Sequence, residues 1–113
     1  MVEQLSDDTL QLIAGHFRVL SEPVRLRLLH VLRDGEASVN ELADALGISQ
    51  PSASKHLAVL RDQGLVKRRK EGTSARFSIA ADFVFEICDI VCDGVRTELE
   101  RRQSVLPPQR TAS

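Results

Sequence analysis

Two cysteines, Cys88 and Cys92, stand four residues apart and are the only two in the chain. On a helix that spacing sets both sulfurs on one face. Soft thiolates so placed suit arsenite, antimonite or a soft metal such as copper(I). Peroxide or sulfur species are a second chemistry for the same pair. A disulfide within the helix is strained, because Cβ atoms at this spacing lie about 5–6 Å apart and a disulfide uses about 3.5–4.5 Å. Metalloid capture, or a bridge to a second copy of the chain, is favoured instead. Three-coordinate arsenic takes a third ligand: a water, another small ligand, or a thiol from across a dimer. The structural alternative is that both cysteines pack as small hydrophobes. Asp89 and Asp93 put negative charge beside them.

A second cluster is built for hydrogen bonding. Gln50-Pro51-Ser52-Ala53-Ser54-Lys55-His56 gathers small and polar donors into two turns. Helices that read DNA present base-contacting groups in their first turns. Gln50 suits adenine in the major groove, and Lys55 suits guanine or a phosphate. Just beyond, Arg61, Lys67, Arg68, Arg69, Lys70 and Arg76 give six positive charges against Asp62 and Glu71, a local excess of four. Such a cluster holds phosphates and makes binding sensitive to salt. Each residue alone also fits a solvated helix cap or a charge-protected strand edge; their order along the chain argues for the DNA reading. The set expected at DNA is Ser49, Gln50, Ser52, Ser54, Lys55, His56, Arg68, Arg69, Lys70, Thr73 and Arg76. His16 and His30 are expected to pack. No nucleophile, base and orienter constellation and no Gly-rich phosphate loop is present, so the chain is not expected to be an enzyme.

These residues need a scaffold, and the hydrophobic pattern supplies one. Ser6 caps a helix from about Asp7 to Val19, with Leu10, Ile13, Ala14, Phe17 and Leu20 at helical spacing. Ser21 and Pro23 start a second helix that Asp34-Gly35 closes. Glu36 to Val39 is a short edge strand. A third helix, Asn40 to Leu46, ends at Gly47, and Ser49 caps the next, whose buried stripe is Ala53, Leu57, Leu60 and Val59. Helix, three-residue turn and polar-fronted helix make a helix-turn-helix. Leu65–Lys70 and Ala75–Ala80 form a hairpin about a Glu71–Ser74 turn, the wing. A last helix from Phe83 to Arg102 carries Val84, Ile87, Cys88, Val91, Val95 and Leu99 on one stripe. The domain is expected to span 1–103, with 104–113 a disordered tail.

The 113 residues, 42% hydrophobic, fit one small domain with a modest core. A net charge of −1 does not by itself suggest nucleic acid; the distribution does. Aromatics at 4% are too few for a platform that stacks single-stranded bases. The polar, acidic start is unlike a signal peptide and no apolar run approaches a membrane span, so a cytoplasmic protein with free thiols and no membrane partner is expected.

The chain resembles the ArsR/SmtB family of winged helix-turn-helix repressors. The matching stretches are Leu20-Ser21-Glu22-Pro23-Val24-Arg25-Leu26, Ser49 to Leu57, Leu60-Arg61-Asp62-Gln63-Gly64-Leu65-Val66, and the hairpin Arg69 to Phe77. The resemblance implies a mainly α fold with a small hairpin, and a homodimer through first and last helices. It implies a palindromic operator in double-stranded DNA, bound without any cofactor and released by an inducer. The apolar stripe of the last helix independently calls for a partner surface. The chain departs from the family's familiar sensing sites. Glu41-Leu42-Ala43-Asp44-Ala45-Leu46 lacks the paired thiols of some arsenic and lead sensors. Asp82 and Glu98 match two zinc-ligand positions of the last helix, but Val84 and Val95 replace the histidines, and two carboxylates make a poor zinc site. Cys88 and Cys92 remain as the expected site for As(III), Sb(III) or another soft inducer.

Overall fold

The computed structural model describes residues 5–105. They fall into two compact units that divide between Ala81 and Asp82. The first unit holds α1 (Asp7–Leu20), α2 (Pro23–Leu32), β1 (Ala37–Ser38), α3 (Val39–Leu46), α4 (Gln50–Asp62), β2 (Val66–Glu71) and β3 (Ser74–Ile79). The second is α5 (Phe83–Val105). This is a mainly helical winged helix-turn-helix with a small three-stranded antiparallel sheet.

The core of the first unit is leucine. Leu28, Leu29, Leu42, Leu57, Leu60 and Leu65 are fully buried, with Ala53, Val66 and Phe77 beside them. Each such leucine contributes about 1.5–3 kcal/mol through burial. The expected stripe of α4 is confirmed at Ala53, Leu57 and Leu60, whereas Val59 is only half-buried.

Both helices of the helix-turn-helix end in the same way. Gly47 adopts φ 69° and Gly64 φ 79°, a left-handed geometry that glycine reaches at little cost. Ile48 N–H donates to Ala43 C=O and Leu65 N–H to Leu60 C=O, each at 3.0 Å, while the glycine N–H groups reach Asp44 and Arg61. These are Schellman closures, which satisfy the last carbonyls and drop an apolar residue onto the core. They fix where α4 begins and where β2 leaves it.

The helix starts differ in part from the pattern-based expectation. Ser6 caps α1 as expected, accepting from Thr9 N–H. Ser21 does not cap α2; it closes α1 instead, its hydroxyl donating to Arg18 C=O at 2.6 Å. α2 opens on Glu22 without a side-chain cap, with Pro23 in its first turn. α3 starts at Val39, because Ser38 and Glu41 form a reciprocal capping box. Ser38 Oγ accepts Glu41 N–H at 3.1 Å, and Glu41 Oε1 accepts Ser38 N–H at 2.8 Å. The strand before it therefore shrinks to Ala37–Ser38.

The sheet order is β1-β3-β2. In β3, Phe77 stands between Ala37 and Arg68, and Arg76 between Ser38 and Arg69. Successive strand residues point to opposite faces, so the Phe77 row and the Arg76 row lie on different sides. Gly72, with φ 62°, takes the first place of the two-residue wing loop, where a II′ turn requires positive φ.

In α5, Val84 is buried, Ile87 and Cys88 are half-buried, and Val91, Val95 and Leu99 are exposed. The helix reaches Val105, past Arg102; residues 106–113 of the expected tail lie outside the described residues. No described helix is long and apolar enough to cross a membrane.

Candidate nucleic-acid interface

α4 is set up by its own first residues. Ser49 caps it, accepting Ser52 N–H at 3.2 Å, and Pro51 sits in the first turn, where its missing N–H costs nothing. With Ala53, Leu57 and Leu60 locked into the core, a rotation of about 100° per residue decides where every other side chain goes. Gln50, Ser54, Ala58 and Arg61 fall along one edge.

That edge borders a groove of about 570 Å³. Arg68, Thr73, Ser74 and Ala75 of the wing line it from one side, and Ser38, Val39 and Asn40 at the start of α3 from another. Four residues expected at DNA thus meet in one concavity: Gln50, Ser54, Arg68 and Thr73. Asn40, Arg61 and Ser74 join them without having been in that expected set. Arg61 had been counted as charge only, and Asn40 comes into reach because the capping box brings the start of α3 to the sheet.

The other expected residues stand elsewhere. Lys55 is exposed and does not line the groove, lying beyond the Ser54 edge of α4. Ser52 and His56 are half-buried on the opposite flank. Lys70 is exposed on β2.

Arg69 and Arg76 were also expected at DNA, and both pair with carboxylates. Arg69 donates to Glu36 Oε1 at 2.6 Å and to Glu71 Oε2 at 3.1 Å. Arg76 pairs with Glu36 and Glu41, each at 3.3 Å, and also reaches Glu36 C=O. The hydrogen bond from Arg69 holds the Glu36 carboxyl below the usual glutamate range, and Glu36 in turn keeps Arg69 more firmly protonated. Glu41 is lowered first by the Ser38 N–H and hydroxyl and then by Arg76. The local excess of four positive charges counted along the sequence is therefore partly neutralised by Glu36 and Glu41, which lie outside that stretch.

A helix-turn-helix whose second helix and wing share a polar, cationic groove is the architecture of a DNA-binding regulator, and comparison with known proteins agrees. The profile of the bacterial regulatory protein arsR family matches residues 22–68. The arsenical resistance operon repressor of Escherichia coli is 33% identical over 91 residues, 80% of this chain and 78% of that protein. The chain belongs to the arsR family. The regulator KmtR of Mycobacterium tuberculosis is 39% identical over 85 residues, 75% of this chain but 65% of KmtR, less than two thirds of its length. Among solved structures, the homodimeric winged helix-turn-helix DNA-binding domain of Mb0332 from Mycobacterium bovis superposes with a TM-score of 0.75 at 30% identity, covering 90% of this chain and 97% of that one. The relatives in this family carry the names of transcriptional regulators and operon repressors.

The second unit carries the thiols. Cys88 is half-buried and Cys92 exposed. Arg96 Nη2 donates to Cys92 Sγ at 3.7 Å, while its Nη1 pairs with Asp93 at 3.3 Å. Asp93, read from the sequence as negative charge beside the thiols, is thus partly spent on Arg96. Among the described residues no group of three or more His, Cys, Asp or Glu could hold a metal ion. A closed tetrahedral zinc site takes four donors, more than two thiols supply.

Proposed function

We propose that this arsR-family chain is a repressor that binds an operator in double-stranded DNA as a homodimer, in the cytoplasm. One observation carries the reading: Gln50, Ser54 and Arg61 of α4 share a groove with Arg68 and Thr73 of the wing. α4 enters the major groove, with Gln50, Ser54 and Lys55 towards base edges. Arg68, Lys70 and Thr73 hold phosphates beside it, and Ser49, Ser52 and His56 complete the contact around the start of the helix.

The dimer is supported by two apolar faces. Leu10, Ile13 and Phe17 of α1 are exposed, as are Val91, Val95 and Leu99 of α5. Exposed apolar faces of this kind mark interaction surfaces, and a second copy of the chain supplies matching ones. The Mb0332 domain, similar over almost its full length, is described as homodimeric.

The inducer acts on Cys88 and Cys92, trivalent arsenic or antimony being the class two adjacent thiols favour. The third ligand comes from water, another small ligand or the partner subunit. The likeness to the Escherichia coli arsenical repressor supports this class. A second reading, release by oxidants or reactive sulfur, is favoured by the Arg96 contact, since a guanidinium beside a thiol is a setting in which cysteines react.

The test is fluorescence anisotropy of the reduced protein on DNA from its own upstream region. Arsenite, antimonite, zinc and persulfide are added in turn. Release by a trivalent metalloid that is lost in Cys88→Ser supports the first reading, and release by persulfide alone supports the second. Tight binding that none of them relieves leaves a repressor whose cysteines only pack.

A further inference from the structure

Arg69 and Arg76 face each other across the β2–β3 pair. Like charges directly opposite in a sheet repel, yet both side chains turn to the same carboxylate. Glu36 stands two residues before Ser38, the residue of β1 paired with Arg76. Its carboxylate accepts from Arg69 at 2.6 Å and forms an ion pair with Arg76 at 3.3 Å. Glu71 closes the network at the wing loop, and Glu41, held in the capping box, closes it at the start of α3. The chain of ion pairs therefore crosses all three strands and ends on the first helix of the helix-turn-helix.

Val66 and Phe77 anchor the base of the wing in the core, but its ladder to β1 is short. The hairpin joins β1 through only two residue pairs, Ala37 with Phe77 and Ser38 with Arg76. Neighbouring residues of a strand point to opposite faces, so fixing Arg69 on one face fixes Arg68 on the other, where it borders the groove with α4. Arg76 is mostly covered, its side chain 26% exposed.

We propose that Glu36 is a positioning residue for DNA binding: through Arg69 and Arg76 it sets the wing against the helix-turn-helix, and the two arginines serve binding through Glu36 and not by touching phosphate. The proposal rests on the DNA-binding reading. Isolated exposed pairs contribute little; here one acid ties two arginines that otherwise repel, so its removal acts on both.

The decisive experiment is a double-mutant cycle on operator affinity over a salt series, with the full chain, Glu36→Gln, Arg69→Gln and the double variant. Each single change is expected to weaken binding by about fivefold, with the double variant no worse than either single one within about twofold. A phosphate-contacting Arg69 gives the opposite pattern. Arg69→Gln then lowers the salt slope by about one, while Glu36→Gln leaves affinity unchanged or tightens it. Additive losses, or tighter binding by Glu36→Gln, overturn the proposal. Hydrogen exchange of the free protein tests the latch without DNA. Glu36→Gln is expected to speed exchange of β2 and β3 amides and spare α4; unchanged wing exchange overturns the proposal. Failure of the unmodified chain to bind any upstream fragment defeats the DNA-binding reading instead, and exchange still reports on the latch.

Discussion

The side-chain amide of Gln63 lies directly over Gly15. A Cβ on Gly15 would come within 3.0 Å of Gln63 Nε2, and the same amide stands 3.2 Å from His16 Nδ1. Gln63 is the residue that ends α4, so α1 crosses α4 at its exit. Gly15→Val forces a branched side chain into this contact and is expected to destabilise the fold by about 1–3 kcal/mol. Gly94 in α5 has open space around its Cα, and Gly94→Ala is expected to stabilise by about 1 kcal/mol through helix propensity. Urea unfolding of both variants checks the pair. A neutral Gly15→Val would show that the crossing is loosely packed.

The groove predicts a division of labour among polar residues. With Arg68 at a phosphate, as proposed, Arg68→Ala is expected to weaken binding equally across DNA sequences, lowering the salt slope by about one. Gln50→Ala is expected to cost about 1–3 kcal/mol and to relax preference at one base pair. Lys55→Ala weakens binding without loosening a dimer. Anisotropy titrations on operator and scrambled duplexes separate these effects, and a uniform loss from Gln50→Ala would move it from base to backbone.

Much of this architecture was legible because it rests on local rules. Gly47 and Gly64 mark helix ends, Ser49 and Pro51 mark a start, and Ala53, Leu57 and Leu60 mark a buried stripe. The charge placement was not legible in the same way. Arg69 and Arg76 belong to a basic run, but what neutralises them is Glu36 and Glu41, 33 and 35 residues away. Only the β1-β3-β2 order brings those groups together. Reading Glu36 to Val39 as a strand passes over the Ser-x-x-Glu of Ser38 and Glu41, yet the capping box that these two form decides where α3 begins. Periodicity alone does not show that Gln50 and Ser54 take one edge of α4 while Ser52 and His56 take the other; the buried stripe has to be fixed first.

Acid should loosen the wing before the core. Glu36 and Glu41 both have carboxyls lowered by their partners, Glu36 chiefly by Arg69 and Glu41 chiefly by Ser38. A lowered carboxyl contributes stability in full above its unfolded value, and that contribution is lost as pH falls through the folded value. The contribution is therefore expected to be constant from neutral pH down to the usual glutamate range and to vanish below it. Wing amide exchange followed downward from pH 7 checks this, with Glu36→Gln and Glu41→Gln expected to flatten the acid response. An equal acid response in both variants would place its source outside this network.

The apolar faces of α1 and α5 predict an assembly that charge can break. Phe17 and Leu99 are 56% and 51% exposed, and burying the exposed half of such a side chain contributes about 0.8–1.5 kcal/mol. Two copies double the effect, so Phe17→Glu or Leu99→Glu is expected to raise the dimer dissociation constant by at least about tenfold. Sedimentation equilibrium reads this directly. A protein that remains dimeric after both changes would have its seam on another surface, and operator binding would be expected to survive with it.

The thiols make the last prediction. Cys88→Ser and Cys92→Ser are each expected to abolish inducer response and to leave operator affinity within about twofold, since the groove beside α4 is lined by residues of the first unit. Arg96 separates the two chemistries. Its guanidinium reaches Cys92 Sγ but is shared with Asp93, so Arg96→Ala should slow alkylation of Cys92 more than that of Cys88, as read by mass spectrometry. If metalloid capture governs release, the slowed thiol still binds at equilibrium, and Arg96→Ala keeps its arsenite response. If release follows oxidation or persulfidation, the rate of induction falls with the rate of alkylation. Two serine variants that both respond to every thiol reagent would remove the cysteines from sensing altogether.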